Sequence, residues 1–261
     1  MTNLKIFADS QAIAQAAGEQ FFQAARAAID NKGFFTVALS GGSTPDNFYK
    51  LLVDKVKMSP EYCTLLRKIH FFWGDEREVP PENSKSNYGN FQKTFLSQIN
   101  IPEDNVHRIK PDAGGAQQAA ILYEKVLKSF FKLKKNQWPC FDLILLGMGV
   151  DGHTASLFPG IKELKEDIRL VVSPYIEKFG SYRITLTVPV FNSASFVLFL
   201  VTGEDKAKTL REVIESTHQP DMYPAQLIRP HNGQLFWFVD QAAAKLLNQN
   251  ARGGKKCERQ Y

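Results

Sequence analysis

LLGMGVDGHTASLFPG, residues 145–160, decides how this chain is read. It opens inside an apolar run, 141–146, with the length and flanks of a buried strand. The run breaks at Gly147, Met148 and Gly149, a turn with almost no side chain, and Asp151, Gly152 and His153 follow at once. In open α/β sheets, ligands sit in the crevice at the carboxyl ends of the strands. A histidine beside a carboxylate at such an end has the makings of a general base, held in one tautomer by its neighbour. The same residues suit a glycine-rich βα turn whose histidine only caps the next helix. From this stretch alone both readings stand.

Working outward, a second apolar run, 34–39, leads straight into Ser40, Gly41, Gly42, Ser43, Thr44 and Pro45. Thr44 suits an N-cap and Pro45 a first helical position. A helix N-terminus after a glycine turn is an anion site, to which the Ser43 and Thr44 hydroxyls would add donors. The spacing matches neither a nucleotide P-loop nor a dinucleotide fingerprint, and an ordinary tight turn fits equally well. A third run, 69–73, ends in Gly74, Asp75, Glu76, Arg77 and Glu78. These charges are either a solvated turn or the rim of the same crevice, with Asp75 and Arg77 facing it.

The remaining segments repeat the alternation. Asp9 or Ser10 caps a helix with Ile13, Ala17, Phe21, Ala24 and Ala28 at helical spacing, closed by Gly33. Ser86 caps a helix from 87 to about 98, and another carries Ala116, Ala120, Tyr123, Leu127 and Phe130. Strands are expected at 170–172, 183–188, 196–202 and 236–240, and a last helix at 241–247. Arg183 sits at the start of its strand, where an edge charge is the plain reading. Lys206 falls in the first turn of a helix running to about 215, an unfavourable place for a cation unless an anion offsets the dipole. Strands alternating with helices imply an α/β fold: a mainly parallel sheet with helices on both faces. One domain is expected over 1–250, followed by a basic, flexible tail at 251–261.

Composition narrows the classes. The chain has 261 residues, 44% of them hydrophobic, enough for a sizeable core. No apolar run approaches the ~20 residues of a membrane helix, and the N-terminus lacks the pattern of a secretory signal. Of the formal net charge of +5, most lies in the last ten residues, so the body offers no basic surface for nucleic acid. Cys63, Cys140 and Cys257 are odd in number and widely spaced, as free thiols in a reducing compartment are. A cytoplasmic protein, a monomer or small homo-oligomer without membrane or nucleic-acid partners, is expected. No HxxxH or CxxC spacing marks a metal site.

Three segments now stand together: LSGGSTP at 39–45, FFWGDER at 71–77 and LLGMGVDGHTASLFPG at 145–160. In this order they resemble the 6-phosphogluconolactonase family, and the likeness extends from about 7 to 241 through YRITLTVPVFNSA (182–194) and PAQLIRP (224–230). The resemblance implies a modified Rossmann-like fold shared with glucosamine-6-phosphate deaminases. It implies hydrolysis of 6-phospho-glucono-1,5-lactone to 6-phosphogluconate, a step of the pentose phosphate pathway, without a cofactor or metal. Carried over by motif, His153 is the general base and Asp151 its neighbour. Gly41, Gly42, Ser43 and Thr44 form the phosphate loop. Arg77, Arg183 and Lys206 are further phosphate ligands, and Asp75 and Gly149 additional candidates at the substrate. Two other readings remain: a deaminase or isomerase, and a non-catalytic sugar-phosphate sensor. Deaminases resemble GHIxFNEP where this chain has GHTASLFP, so Phe158 replaces the glutamate that moves protons in the sugar. A sensor would need a DNA-binding module, and no ~60-residue segment is expected ahead of Phe34 to hold one.

Overall fold

The apolar runs become strands of one sheet. A computed structural model describes residues 3–248; the basic tail expected at 251–261 lies outside them. The strands are β1 (Asn3–Phe7), β2 (Phe35–Leu39), β3 (Ile69–Trp73), β4 (Asp75–Arg77), β5 (Val106–His107), β6 (Leu143–Leu146), β7 (Val171–Val172), β8 (Tyr175–Ile176), β9 (Ser181–Leu186), β10 (Phe196–Val201) and β11 (Gln234–Asp240). The helices are α1 (Ser10–Lys32), α2 (Ser43–Met58), α3 (Pro60–Leu66), α4 (Asn87–Phe91), α5 (Gly115–Phe130), α6 (Val188–Asn192) and α7 (Ala207–Glu215). Seven strands pair in parallel, in the order β1-β11-β10-β6-β2-β3-β5. Every residue of β2 and β6 is buried, so both faces of the sheet centre are covered, as a parallel sheet requires. Asp9 caps α1, its carboxylate accepting from Ala12 N–H at 2.9 Å, and Gly33 ends it in the left-handed region at φ 89°.

The strand order fixes where a ligand can sit. From β2 the chain adds β3 and then β5 on one side; from β6 it adds β10, β11 and, from the other end of the sequence, β1. The sheet therefore reverses between β2 and β6. Loops leaving their carboxyl ends diverge and open a crevice there.

Four expectations are corrected. Thr44 is not the cap of α2: the helix starts at Ser43 with Gly42 at the cap, and the Thr44 hydroxyl instead meets that of Thr202 at 2.7 Å. No helix follows β6; residues 147–160 form turns, so His153 is not a helix cap. The segment 241–247 holds a single 3-10 turn, Ala243–Leu246, because so short a stretch does not offset the cost of nucleating an α-helix. The charged stretch after β3 is neither turn nor loop. Asp75, Glu76 and Arg77 pair antiparallel with Thr185, Ile184 and Arg183, forming a smaller sheet, β4-β9-β7, with β8 on the same strand.

Candidate active site

Each wall of the crevice is held by a buried bond. The turn after β2 is tied down by Tyr49 of α2, whose hydroxyl donates to the Ser40 carbonyl at 2.6 Å. Gly42 turns at φ 117°, which a side chain would resist, and releases α2 with its first N–H groups pointing outward. The end of β3 is gripped by Tyr123, which accepts from Trp73 N–H at 2.9 Å and donates to its carbonyl at 3.0 Å. In the loop after β6, Thr154 donates to the Gly147 carbonyl at 2.8 Å and Gly149 N–H to the His153 carbonyl at 2.8 Å. Between these walls lies a cleft of about 350 Å³, lined by Gly41, Gly42, Thr44, Asp75, Arg77, Gly149, His153 and Lys206, among others.

Within it, Nδ1 of His153 pairs with Oδ1 of Asp151, and the imidazole stacks on Phe158 at 4.2 Å between ring centres. Oδ2 of Asp151 accepts from the Lys178 ammonium at 3.2 Å. Burial pushes the Asp151 carboxyl up. The hydrogen bond and charge of His153, with the Lys178 bond, outweigh that and hold it well below the ordinary carboxylate range. Asp151 is thus an anion at any working pH. With Nδ1 engaged, Nε2 is the nitrogen left to exchange a proton.

The charges around the histidine are arranged in pairs. Lys206 meets Asp205 at 3.0 Å. Asp75, 5% exposed, accepts from Ser156 at 2.6 Å and from the Asn87 amide at 3.2 Å. Glu76, buried behind it, accepts from Asn87 N–H at 2.7 Å and Tyr88 N–H at 2.8 Å, at the start of α4. Burial raises its carboxyl despite those bonds. Arg77 and Arg183 stand opposite each other on β4 and β9, and burial, then the charge of Arg77, lowers the affinity of Arg183 for its proton. Like charges paired across strands destabilise a sheet unless an anion or carboxylates offset them. Among the described residues no three His, Cys, Asp or Glu side chains gather to hold a metal ion.

The family of glucosamine-6-phosphate isomerases/6-phosphogluconolactonase matches residues 8–237. This chain belongs to that family. It is 41% identical over 220 residues to 6-phosphogluconolactonase of Synechocystis, covering 84% of this chain and 88% of the relative. The human 6-phosphogluconolactonase is 36% identical over 247 residues, covering 94% and 93%. The solved 6-phosphogluconolactonase of Trypanosoma brucei superposes with a TM-score of 0.84 at 29% identity, over 95% of this chain and 99% of that one.

Of the residues singled out from sequence, Gly41, Gly42, Thr44, Asp75, Arg77, Gly149, His153 and Lys206 line one cleft, and Asp151 supports it from behind. The Ser43 side chain lies outside the described part. Arg183 is not in the cleft wall. It is half-buried in mid-strand rather than at a solvent edge, donating to Ser181 at 2.6 Å with its guanidinium 5.0 Å from the Phe179 ring centre. Thr202, Asp205, Ser156, Asn87 and Lys178 escaped the sequence reading. Thr202 and Asp205 had a signal, because they follow an apolar strand and flank Lys206. Lys178 had none: it reaches Asp151 from 27 positions away through the β8–β9 turn. Among the described residues no helix is long and apolar enough to cross a membrane.

Proposed function

We propose that this chain hydrolyses 6-phospho-D-glucono-1,5-lactone to 6-phosphogluconate, with His153 as general base. The observation that carries the reading is the Asp151–His153 pair facing a cleft that also holds Arg77, Lys206 and the start of α2. The phosphate sits against the N–H groups of α2 and the cations of Arg77 and Lys206, displacing Asp205 from its lysine. Arg183, opposite Arg77 across the strand pair, adds a second positive charge for the phosphate to offset. This remote grip sets the lactone carbonyl before the imidazole. Nε2 takes a proton from water as the water oxygen attacks C1, and a tetrahedral oxyanion forms. The N–H groups of Gly41, Gly42, Gly147 and Met148 in the glycine turns are the donors at hand. The C1–O bond to the ring oxygen then breaks, and histidinium returns its proton to that oxygen. Asp151 stabilises the cation in between.

Phe158 argues against the deaminase reading. Its ring lies flat against the imidazole, and phenylalanine transfers no protons. Exposed free thiols at Cys63 and Cys140 support a cytoplasmic setting.

The test is hydrolysis of lactone freshly made in situ, with the spontaneous rate subtracted. Parent enzyme should prefer the phosphorylated lactone strongly over gluconolactone in kcat/KM. Lys206→Ala should lose on the order of 2–4 kcal/mol in kcat/KM for the phosphorylated substrate only. Equal kcat/KM for the two lactones would remove the phosphate site.

A further inference from the structure

Behind the dyad lies a second and larger cavity of about 820 Å³, with Asp151, Phe158 and Lys178 in its wall. The dyad is therefore a partition between two hollows. A carboxylate so placed is free to swing unless both its oxygens are held. Oδ1 is held by His153, and Oδ2 by the Lys178 ammonium at 3.2 Å. The residue after that lysine supports the histidine as well: the Phe179 ring meets Phe158 edge-on at 5.6 Å, and Phe158 stacks on His153. One short turn, Glu177–Phe179, thus supports both members of the pair.

We propose that Lys178 is a positioning residue of the dyad. By holding Oδ2 of Asp151 it fixes the carboxylate's orientation and offsets part of its charge, so that His153 stays in the neutral form that takes a proton from water. An Asp151 carboxylate facing histidine alone stabilises imidazolium, the form that is useless as a base. A cation on the far oxygen shifts that balance back. The other charges facing the pair do not substitute for it. In the front cleft Asp75 and Arg77 lie on β4, and Asp205 with Lys206 on the turn after β10. On the far side Lys162, Glu163 and Glu177 line the larger cavity; only Lys178 among the described cations bonds the carboxylate.

The inference rests on the reading of His153 as base, and the experiment separates the two. Rate–pH profiles are measured for the parent, Lys178→Met, Lys178→Arg and His153→Ala. The lysine is 60% exposed, so its effect is that of a solvated pair. Lys178→Met should move the acid limb of kcat to higher pH by about 0.2–0.7 pH unit. KM and melting temperature should stay close to the parent's, and Lys178→Arg should restore the limb. An unmoved limb overturns the inference, whether the rate is unchanged, falls equally at every pH, or falls through a raised KM. His153→Ala at parental rate would instead overturn the base itself. A slow His153→Ala beside an unmoved Lys178→Met limb would overturn only the role of Lys178.

Discussion

At His153 the proposed chemistry turns on space as much as on charge. The imidazole packs against the backbone of Gly149 so closely that an added Cβ would stand 2.0 Å from Nδ1 and 2.7 Å from Oδ1 of Asp151. A Cβ does not come within 3.0 Å of a non-bonded neighbour, and both partners belong to a braced loop. Gly149 is therefore a glycine because the dyad occupies the volume of a side chain. Gly149→Ala should push the imidazole off its line and lower kcat by about 100-fold or more, since ångström-scale misplacement is that costly. Affinity for 6-phosphogluconate should stay within a few-fold, because the proposed phosphate grip lies on other strands. Kinetics beside a product titration decide it. A Gly149→Ala enzyme of parental kcat would mean that the pair tolerates displacement and is not the reacting centre.

Among the elements, β4 shows how a charged segment becomes a buried strand. Asp75 points to the cleft and Glu76 away from it, as strand alternation requires. The Glu76 carboxylate then serves α4: Asn87 and Tyr88 donate their N–H groups to it, with the Ser86 hydroxyl at 3.0 Å and Arg77 N–H at 2.8 Å. Glu76→Ala would leave these donors buried and unpaired. Urea unfolding should report a loss of about 3–5 kcal/mol. A loss under about 1 kcal/mol would mean that water replaces the carboxylate and that α4 is not fixed by it. Because α4 presents Asn87 to Asp75, the same variant should also disturb the cleft.

For the molecule as a whole, the crevice was legible because its makers are local. The β2, β3 and β6 strands are short, largely apolar runs with a glycine within two residues of each carboxyl end, and such runs in an alternating chain place their loops at one sheet edge. What was hidden is long-range. Asp75, Glu76 and Arg77 carry no strand pattern; their partner is β9, more than a hundred residues on. Lys178 is one of many exposed lysines until the β8–β9 turn brings it to Asp151. The helix expected after β6 failed because glycines and a local hydrogen-bonded turn fold that segment back on itself.

A determinant of acid stability lies at the β3–β5 edge of the sheet. His70 and His107 contact each other at 3.1 Å, and the His107 ring stacks on Phe72 at 4.3 Å. Burial, then the neighbouring His70, pushes His107 down to about 4 from 6.5. The native state refuses a proton that the unfolded chain accepts. Stability is therefore lost as pH falls from about 6.5 toward 4, and is fully present above that window. Water reaches the half-buried pair, so the loss from His107 at pH 5 should be about 1 kcal/mol. Urea unfolding at pH 7.5 and 5.0 should show the parent losing more than His107→Phe. Identical losses would place the acid sensitivity elsewhere.

In the proposed reaction His153 moves the proton and does not hold the substrate. That role is tested most directly by the single-turnover rate of His153→Ala on the phosphorylated lactone, read beside product affinity and melting temperature. The rate should fall by roughly 10²–10⁴, the range for a positioned acid–base group, with binding and melting close to the parent's. A variant that hydrolyses the lactone at the parent's rate would contradict it.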